Sequence, residues 1–397
     1  MSEVLLKDIT ELIVDCPHST AYDEGKGFPL VRTPNIGKGR LIYSGMHRVS
    51  EEVYNQRNAR AVPQEDDLIF AREATAGNVA LIQKGEKVCL GQRTVLIRPD
   101  KTKVDPAYLT YTLLAPKQQY NLLSTANGAT VAHVNLPTIR NLKLDIPNIE
   151  TQHSIATILS RYDSLIENYQ KQIKLLEEAA QRLYKEWFVD LRFPGHENTK
   201  IVDGVPEGWE KKKVKDFVEL QSGYAFKSST FKDGCPYKIV TIKNVKDGVF
   251  ESENVSTIKT VPEKMPNHCF LKDGDILLSL TGNVGRVCIV IGENYLLNQR
   301  VAKLKTKYPA YTYTLFRSHD MFITVCNLAN GAAQQNVSPI RIGDIDIVMA
   351  NDELMNKFEG RAGVYIDEII KHHRQIRLLT EARDRLLPKL MSGEIAV

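Results

Sequence analysis

Apolar side chains at Ile155, Leu159, Tyr162, Ile166, Tyr169, Ile173, Leu176, Ala180, Leu183 and Trp187 recur at alternating steps of four and three residues. A period of about 3.5 residues is the seam of a coiled coil, narrower than the stripe of an ordinary surface helix. Displaced by 203 residues, the same positions hold Phe358, Ala362, Tyr365, Ile369, His372, Ile376, Leu379, Arg383, Leu386 and Leu390. Eight of these ten are apolar, His372 and Arg383 being the exceptions. The pattern predicts two long helices of matching register. Each needs a partner for its stripe, and each supplies the other's.

The helices are written almost in the same letters. QIKLLEEAAQRL (Gln172 to Leu183) and QIRLLTEARDRL (Gln375 to Leu386) agree at eight of twelve positions. Ahead of each lies a second set of matches. DDLIFAREATAGNVALI resembles DGDILLSLTGNVGRVCIV, CLGQRTVLI matches LLNQRVAKL, DPAYLTYTLL matches YPAYTYTLF, and NGATVAHVNLPTIR parallels NGAAQQNVSPIR. Runs such as LIVD, DILLSL and VCIVI, bounded by Gly, Asn and Asp, predict strands, and NGA and GNV predict turns. Each half therefore reads as one unit, a strand-rich domain followed by a long helix.

The expected fold is α+β. Two α/β domains are separated by two long antiparallel helices that form a coiled coil, with a pseudo-two-fold internal repeat. The segments are 1–147 and 211–350 for the domains, 148–193 and 351–392 for the helices, 194–210 for the linker and 393–397 for a tail. The linker holds the Pro and Gly residues that stop a helix. A stripe from Ile155 to Trp187 would span about 48 Å, more than the roughly 34 Å of one turn of B-DNA. Two similar heads on such a rod suit a two-part site on a duplex.

Composition narrows the class without naming the ligand. The 397 residues exceed one ordinary core, and 43% hydrophobic with 25% charged residues is globular composition. The net charge of +4, from 52 basic and 48 acidic residues, leaves nucleic-acid binding open. Six cysteines never form a C-x-x-C pair, which argues against a zinc knuckle and suits a reducing cytoplasm. No stretch reaches the roughly 20 apolar residues of a membrane span.

With these residues in view, the chain resembles the specificity subunits of type I restriction-modification systems. The likeness extends over essentially all of it. Its firmest parts are the two helices, RLYKEWFVDLRFPGHE (Arg182 to Glu197), GVPEGWEKKKVKDF (Gly204 to Phe217) and RLLPKLMSGEIAV (Arg385 to Val397). One departure stands out: PEGW (Pro206 to Trp209) introduces the second domain, whereas the first begins almost at once with LLKDI (Leu5 to Ile9). The resemblance implies two target recognition domains, each reading half of a split double-stranded DNA sequence. It also implies helices that dock two methyltransferase subunits, with restriction and translocase subunits completing the complex. S-adenosylmethionine, and ATP with Mg2+, are then expected on the partners, with no cofactor in this chain.

Nothing in the sequence carries the chemistry itself. The N-P-P-[YF] motif and glycine-rich cofactor loop of an adenine methyltransferase are both missing, as is a G-x-x-x-x-G-K-[ST] phosphate loop. IGKGR (Ile36 to Arg40) is too short for one. RPDKTK (Arg98 to Lys103) lacks the acidic set of a nuclease. His372 and His373, adjacent on a helix, face different ways and make a poor metal pair. A non-catalytic chain is predicted, with no metal site. The competing class is a coiled-coil scaffold joining two protein-binding domains without touching DNA.

Readers of DNA are sought in the matching loops. Residues shared by both halves, such as Arg93 and Arg300, suit common architecture or phosphate contacts. Positions that differ suit base readout, since Arg pairs with guanine and Gln with adenine. Those candidates are Arg72, Thr75, Thr130 and His133 in one half, against Thr281, Arg286, Gln334 and Gln335 in the other. Arg32, Thr33 and Lys38, and Lys243, Asn244 and Lys246, follow expected strands and join them. For each one the plain alternative is a solvated loop side chain.

Overall fold

The computed structural model describes residues 2–124, 133–253, 255–329 and 335–397. It divides into two compact units, residues 1–165 with 379–397, and residues 166–378. The units thus cut across the sequential segments. Each globular part takes in a stretch of its own helix and a stretch of the other half's helix.

In the first unit an antiparallel sheet has the strand order Thr10–Asp15, Thr94–Pro99, Leu68–Ala71, Val79–Leu81. A second sheet places Phe28–Val31 between His47–Val49 and, in parallel, Cys89–Leu90. Leu68–Ala71 is buried at all four positions because both faces of its sheet are covered. Leu68 and Phe70 join Val95 and Ile97 in a core shared with Tyr108, Ile155, Leu159 and Leu390. Ile69 and Ala71 point the other way, toward Val31, Ile36 and Leu96. The second unit repeats the plan with Val218–Ser222, Val301–Thr306, Ile276–Ser279 and Val287–Ile289. There Ile276 and Leu278 face one core and Leu277 the other.

The long helices run Ile149–Tyr184 and Asp352–Ser392. All twenty seam positions are buried or half-buried. In the second unit Trp187 meets Phe358 at 5.7 Å between ring centroids, and Tyr169 meets His372 at 4.9 Å. In the first unit Asp163 meets Arg383, 2.6 Å from Oδ1 to Nη1. As numbers rise along one helix they fall along the other, so the pair is antiparallel. The two polar seam residues are thereby explained. His372 stacks on a tyrosine, and Arg383 neutralises a buried carboxylate.

Asp163 also accepts a hydrogen bond from Tyr111 at 2.5 Å. The second unit has its own version, in which Tyr313 donates to Glu177 at 2.6 Å and Arg317 pairs with the same carboxylate. In each unit a Tyr–carboxylate–Arg cluster ties the globular part to the first long helix. That helix ends in a π-helical turn, Lys185–Val189, which presents Phe188 to Phe358, Tyr311 and Trp209. The tryptophan of PEGW is therefore a core residue. Among the described residues no helix is long and apolar enough to cross a membrane.

Candidate nucleic-acid interface

Backbone hydrogen bonds put the two globular parts in residue-by-residue register. Gly77 N–H donates to Ala71 and Gly285 N–H to Ser279, both at 3.0 Å. Ala71 N–H donates to Asn78 and Ser279 N–H to Arg286, both at 2.9 Å. Gly77 therefore corresponds to Gly285, and the shared letters G-N-V mislead by three residues. Arg72 has Leu280 as its counterpart, and Glu73 has Thr281.

Four proposed readers, Arg72, Thr33, Asn244 and Thr281, are buried, and their roles need correcting. Arg72 is almost fully buried; Nε donates to the Val134 carbonyl at 2.9 Å and Nη1 to Asp15 at 2.7 Å. Thr33 is buried in a 3-10 turn, and its carbonyl accepts from Thr75 Oγ1 at 2.8 Å, which occupies that candidate too. Asn244 is 4% exposed. Its Oδ1 accepts from Thr241 N–H at 2.8 Å and its Nδ2 donates to the Glu251 carbonyl at 2.9 Å. Asn35 does the same between Arg32 N–H, at 3.2 Å, and the Ile42 carbonyl, at 3.1 Å. Both asparagines staple a loop, because a buried amide must find partners for both ends. Asn35→Ala and Asn244→Ala are each expected to cost about 2–3 kcal/mol in thermal unfolding of the chain, since each strands one donor and one acceptor. A loss below about 0.5 kcal/mol at either site would remove it from the scaffold.

Thr281 is buried as well, with its hydroxyl donating to Asn336 Oδ1 at 2.6 Å. The matching position in the first unit carries a carboxylate, Glu73, hydrogen-bonded to His133 Nδ1 at 2.6 Å. Burial, then Arg72 and Arg93, hold His133 below the ordinary histidine value. Because the Arg72 guanidinium can only donate, His133 accepts from it at Nε2 (2.9 Å) and donates to Glu73 at Nδ1. The same scaffold position so carries different chemistry in the two halves. Sequence reading found His133 and Thr281 but missed Glu73 and Asn336, whose partners lie more than 50 residues away.

The remaining candidates reach solvent. Arg32 and Arg93 line one cleft of about 260 Å3 in the first unit, with Thr33, Gln92 and Arg57. Arg32 Nη2 donates to the Gly45 carbonyl at 3.0 Å, while its buried Nε has no hydrogen-bond partner among the described residues. Lys38, Lys243, Lys246, Arg300 and Gln335 are exposed, Lys246 beside Glu251 at 2.8 Å. Arg286 is half-buried over the Phe322 ring. Thr130 and Gln334, and the paired Asn-Gly turns, lie outside the described residues. Among the described residues no group of three or more His, Cys, Asp or Glu side chains could hold a metal ion.

Comparison with known proteins agrees over the full length. A family model described as the type I restriction modification DNA specificity domain matches residues 2–178 and 206–348. The MjaIX type I restriction enzyme specificity subunit of Methanocaldococcus jannaschii is 27% identical, covering 99% of this chain and 93% of its own. The MjaVIII specificity subunit of the same organism is 29% identical over 86% of this chain and 81% of its own. The fold is that of the crystal structure of a type I restriction-modification S subunit from M. genitalium, with a TM-score of 0.57 at 14% identity, covering 98% and 95% of the two chains. A repeated domain-and-helix plan, an antiparallel seam and these matches lead to one assignment: the chain belongs to the family of type I restriction-modification DNA specificity subunits.

Proposed function

We propose that this chain selects a split, asymmetric site on double-stranded DNA, one half per globular part, without catalysing a reaction itself. One observation carries the reading. Equivalent positions on one scaffold hold Glu73 with His133 in one half and Thr281 with Asn336 in the other. A repeated frame with unlike side chains suits two readers of unlike half-sites.

The chain then holds two methyltransferase subunits, each flipping out an adenine, together with restriction and translocase subunits. S-adenosylmethionine, and ATP with Mg2+, belong to those partners, and the complex works in the cytoplasm. Leu175 and Leu378 support docking on the helices. They occupy the same repeat position and are 64% and 50% exposed, while the seam residues turn inward.

The test is an exchange of residues 2–147 for the matching segment of a relative with a different specificity, followed by methylation mapping of the assembled complex. One half of the methylated sequence should change and the other should persist. A change in both halves, or in neither, would sink the reading.

A further inference from the structure

Arg57 ends the helix Glu51–Arg57 and is 4% exposed. Its hydrogen bonds fix it in place. Nε donates to the Leu90 carbonyl at 2.8 Å, and Nη1 to the Ser19 carbonyl at 2.5 Å and hydroxyl at 3.2 Å. These partners are neutral oxygens, so they hold the side chain without compensating its charge. Among the described residues Arg57 forms no ion pair. The ionisable groups acting on it are the Cys16 and Cys89 thiols. Burial pushes both thiols up, Cys89 to about 12, so neither is an anion. A buried charge without a counter-ion is costly, and an anion from outside would remove that cost.

The second unit shows that the carbonyl itself needs no charge. Leu297 takes the place of Leu90, since Asn298 N–H donates to Val240 as Gly91 N–H does to Val31. The Leu297 carbonyl accepts from Tyr224 N–H at 2.9 Å, a neutral donor. Between Val240 and Ile276 the described residues hold no α-helix, so the helix that carries Arg57 has no counterpart there.

Arg57 lines the 260 Å3 cleft together with Thr20, Arg32, Thr33, Gln92 and Arg93, and no acidic side chain lines it. Arg93 answers Glu73, whose side chain is 14% exposed, and that pair belongs to the scaffold. Arg32 differs, for it forms no ion pair among the described residues. Its Nη2 reaches the Gly45 carbonyl, and its Nη1 has no partner. Asp23, an exposed acid nearby, is held below the usual carboxylate range by Arg48 N–H and Gly25 N–H, with Arg32 a minor influence.

We infer that this cleft is a phosphate seat peculiar to the first half, with Arg32 supplying donors and Arg57 a fixed charge. Guanidinium donors match phosphate oxygens in geometry and charge. The DNA reading above names the source, a phosphodiester of the duplex, and the inference rests on it for that source alone. Such a seat holds DNA without reading its sequence. In the second half Thr241 stands where Arg32 does: both N–H groups donate to the stapling asparagine, and Thr241 caps its own turn.

The experiment uses the full chain assembled with its methyltransferase partner, as wild type, Arg32→Thr and Arg57→Gln. A cognate and an unrelated duplex are titrated, and the DNA-free complex is melted in inorganic phosphate and in chloride at equal ionic strength. Arg32→Thr installs the residue that the other half uses on the same turn, so its melting temperature in chloride should stay level. Its affinity should fall about tenfold on both duplexes alike, and the slope of log K against log salt should shrink by about 0.9. Phosphate should raise the wild-type melting temperature by about 2–4 °C over chloride and raise neither variant's. Arg57→Gln also loses carbonyl bonds, so Arg32→Thr decides where that variant folds poorly. A phosphate response with unaltered duplex binding would uphold the seat and make free phosphate its source. Neither arm separating Arg32→Thr from wild type would overturn the seat, as would an affinity loss confined to the cognate duplex. Wild-type complex that binds neither duplex would overturn the DNA reading, while the phosphate arm would still decide the seat.

Discussion

Arg317→Met is expected to destabilise the second unit by about 3–5 kcal/mol, because it strands the carboxylate of Glu177 in the interior. The two side chains are 15% and 14% exposed, and Tyr313 donates to the same carboxylate. Burial already pushes the Glu177 carboxyl up, against the pull of Arg317 and Tyr313. Without the guanidinium it rises further above its unfolded value. An acid that holds its proton more tightly when folded loses stability as pH climbs through the unfolded value and beyond. The deficit should therefore be smaller at about pH 5 than at about pH 8. The double variant Glu177→Gln with Arg317→Met should cost less than the two single losses added together. Chemical unfolding at the two pH values checks both claims. A deficit under about 1 kcal/mol that ignores pH would make the cluster a surface ion pair.

The seam was legible because its period is a property of consecutive residues, and ten positions in phase leave little room for another element. The polar exceptions were legible as exceptions only. That His372 stacks on Tyr169, and Arg383 answers Asp163, depends on a partner about 200 residues away. The same distance hides the composition of the compact units. The strands were legible from their β-rich runs, yet the register between halves was not. G-N-V matches by letter, whereas the hydrogen bonds of Gly77 and Gly285 set the true alignment.

The sequence puts Asn244 among the candidate DNA readers and does not single out Asn35, since an asparagine in a loop carries no sign that it is buried. Arg93 and Arg300 read as shared architecture or phosphate contacts in the sequence, while their left-handed φ of 63° and 75° is visible only in the backbone. Sequence thus located the loops that differ between halves, while assigning several of their residues to solvent when they belong to the interior.

Arg72 shows what that difference means for experiment. As a base reader it would be dispensable for folding, and its removal would relax one half of the recognised sequence. The structure gives it three partners in the chain, the Val134 carbonyl, Asp15 and His133. Arg72→Ala should therefore cost about 3 kcal/mol or more, since Asp15 keeps the Cys16 N–H at 3.1 Å and the exposed His18 at 3.5 Å but loses its guanidinium, and His133 loses its donor. Arg72→Lys should recover part of this and no more, because one ammonium cannot replace a planar fork that serves three acceptors. Complex assembled from the folded variant, assayed well below its melting temperature, should still methylate the wild-type sequence in both halves. An undiminished melting temperature together with relaxation of one half-site would return Arg72 to the DNA surface.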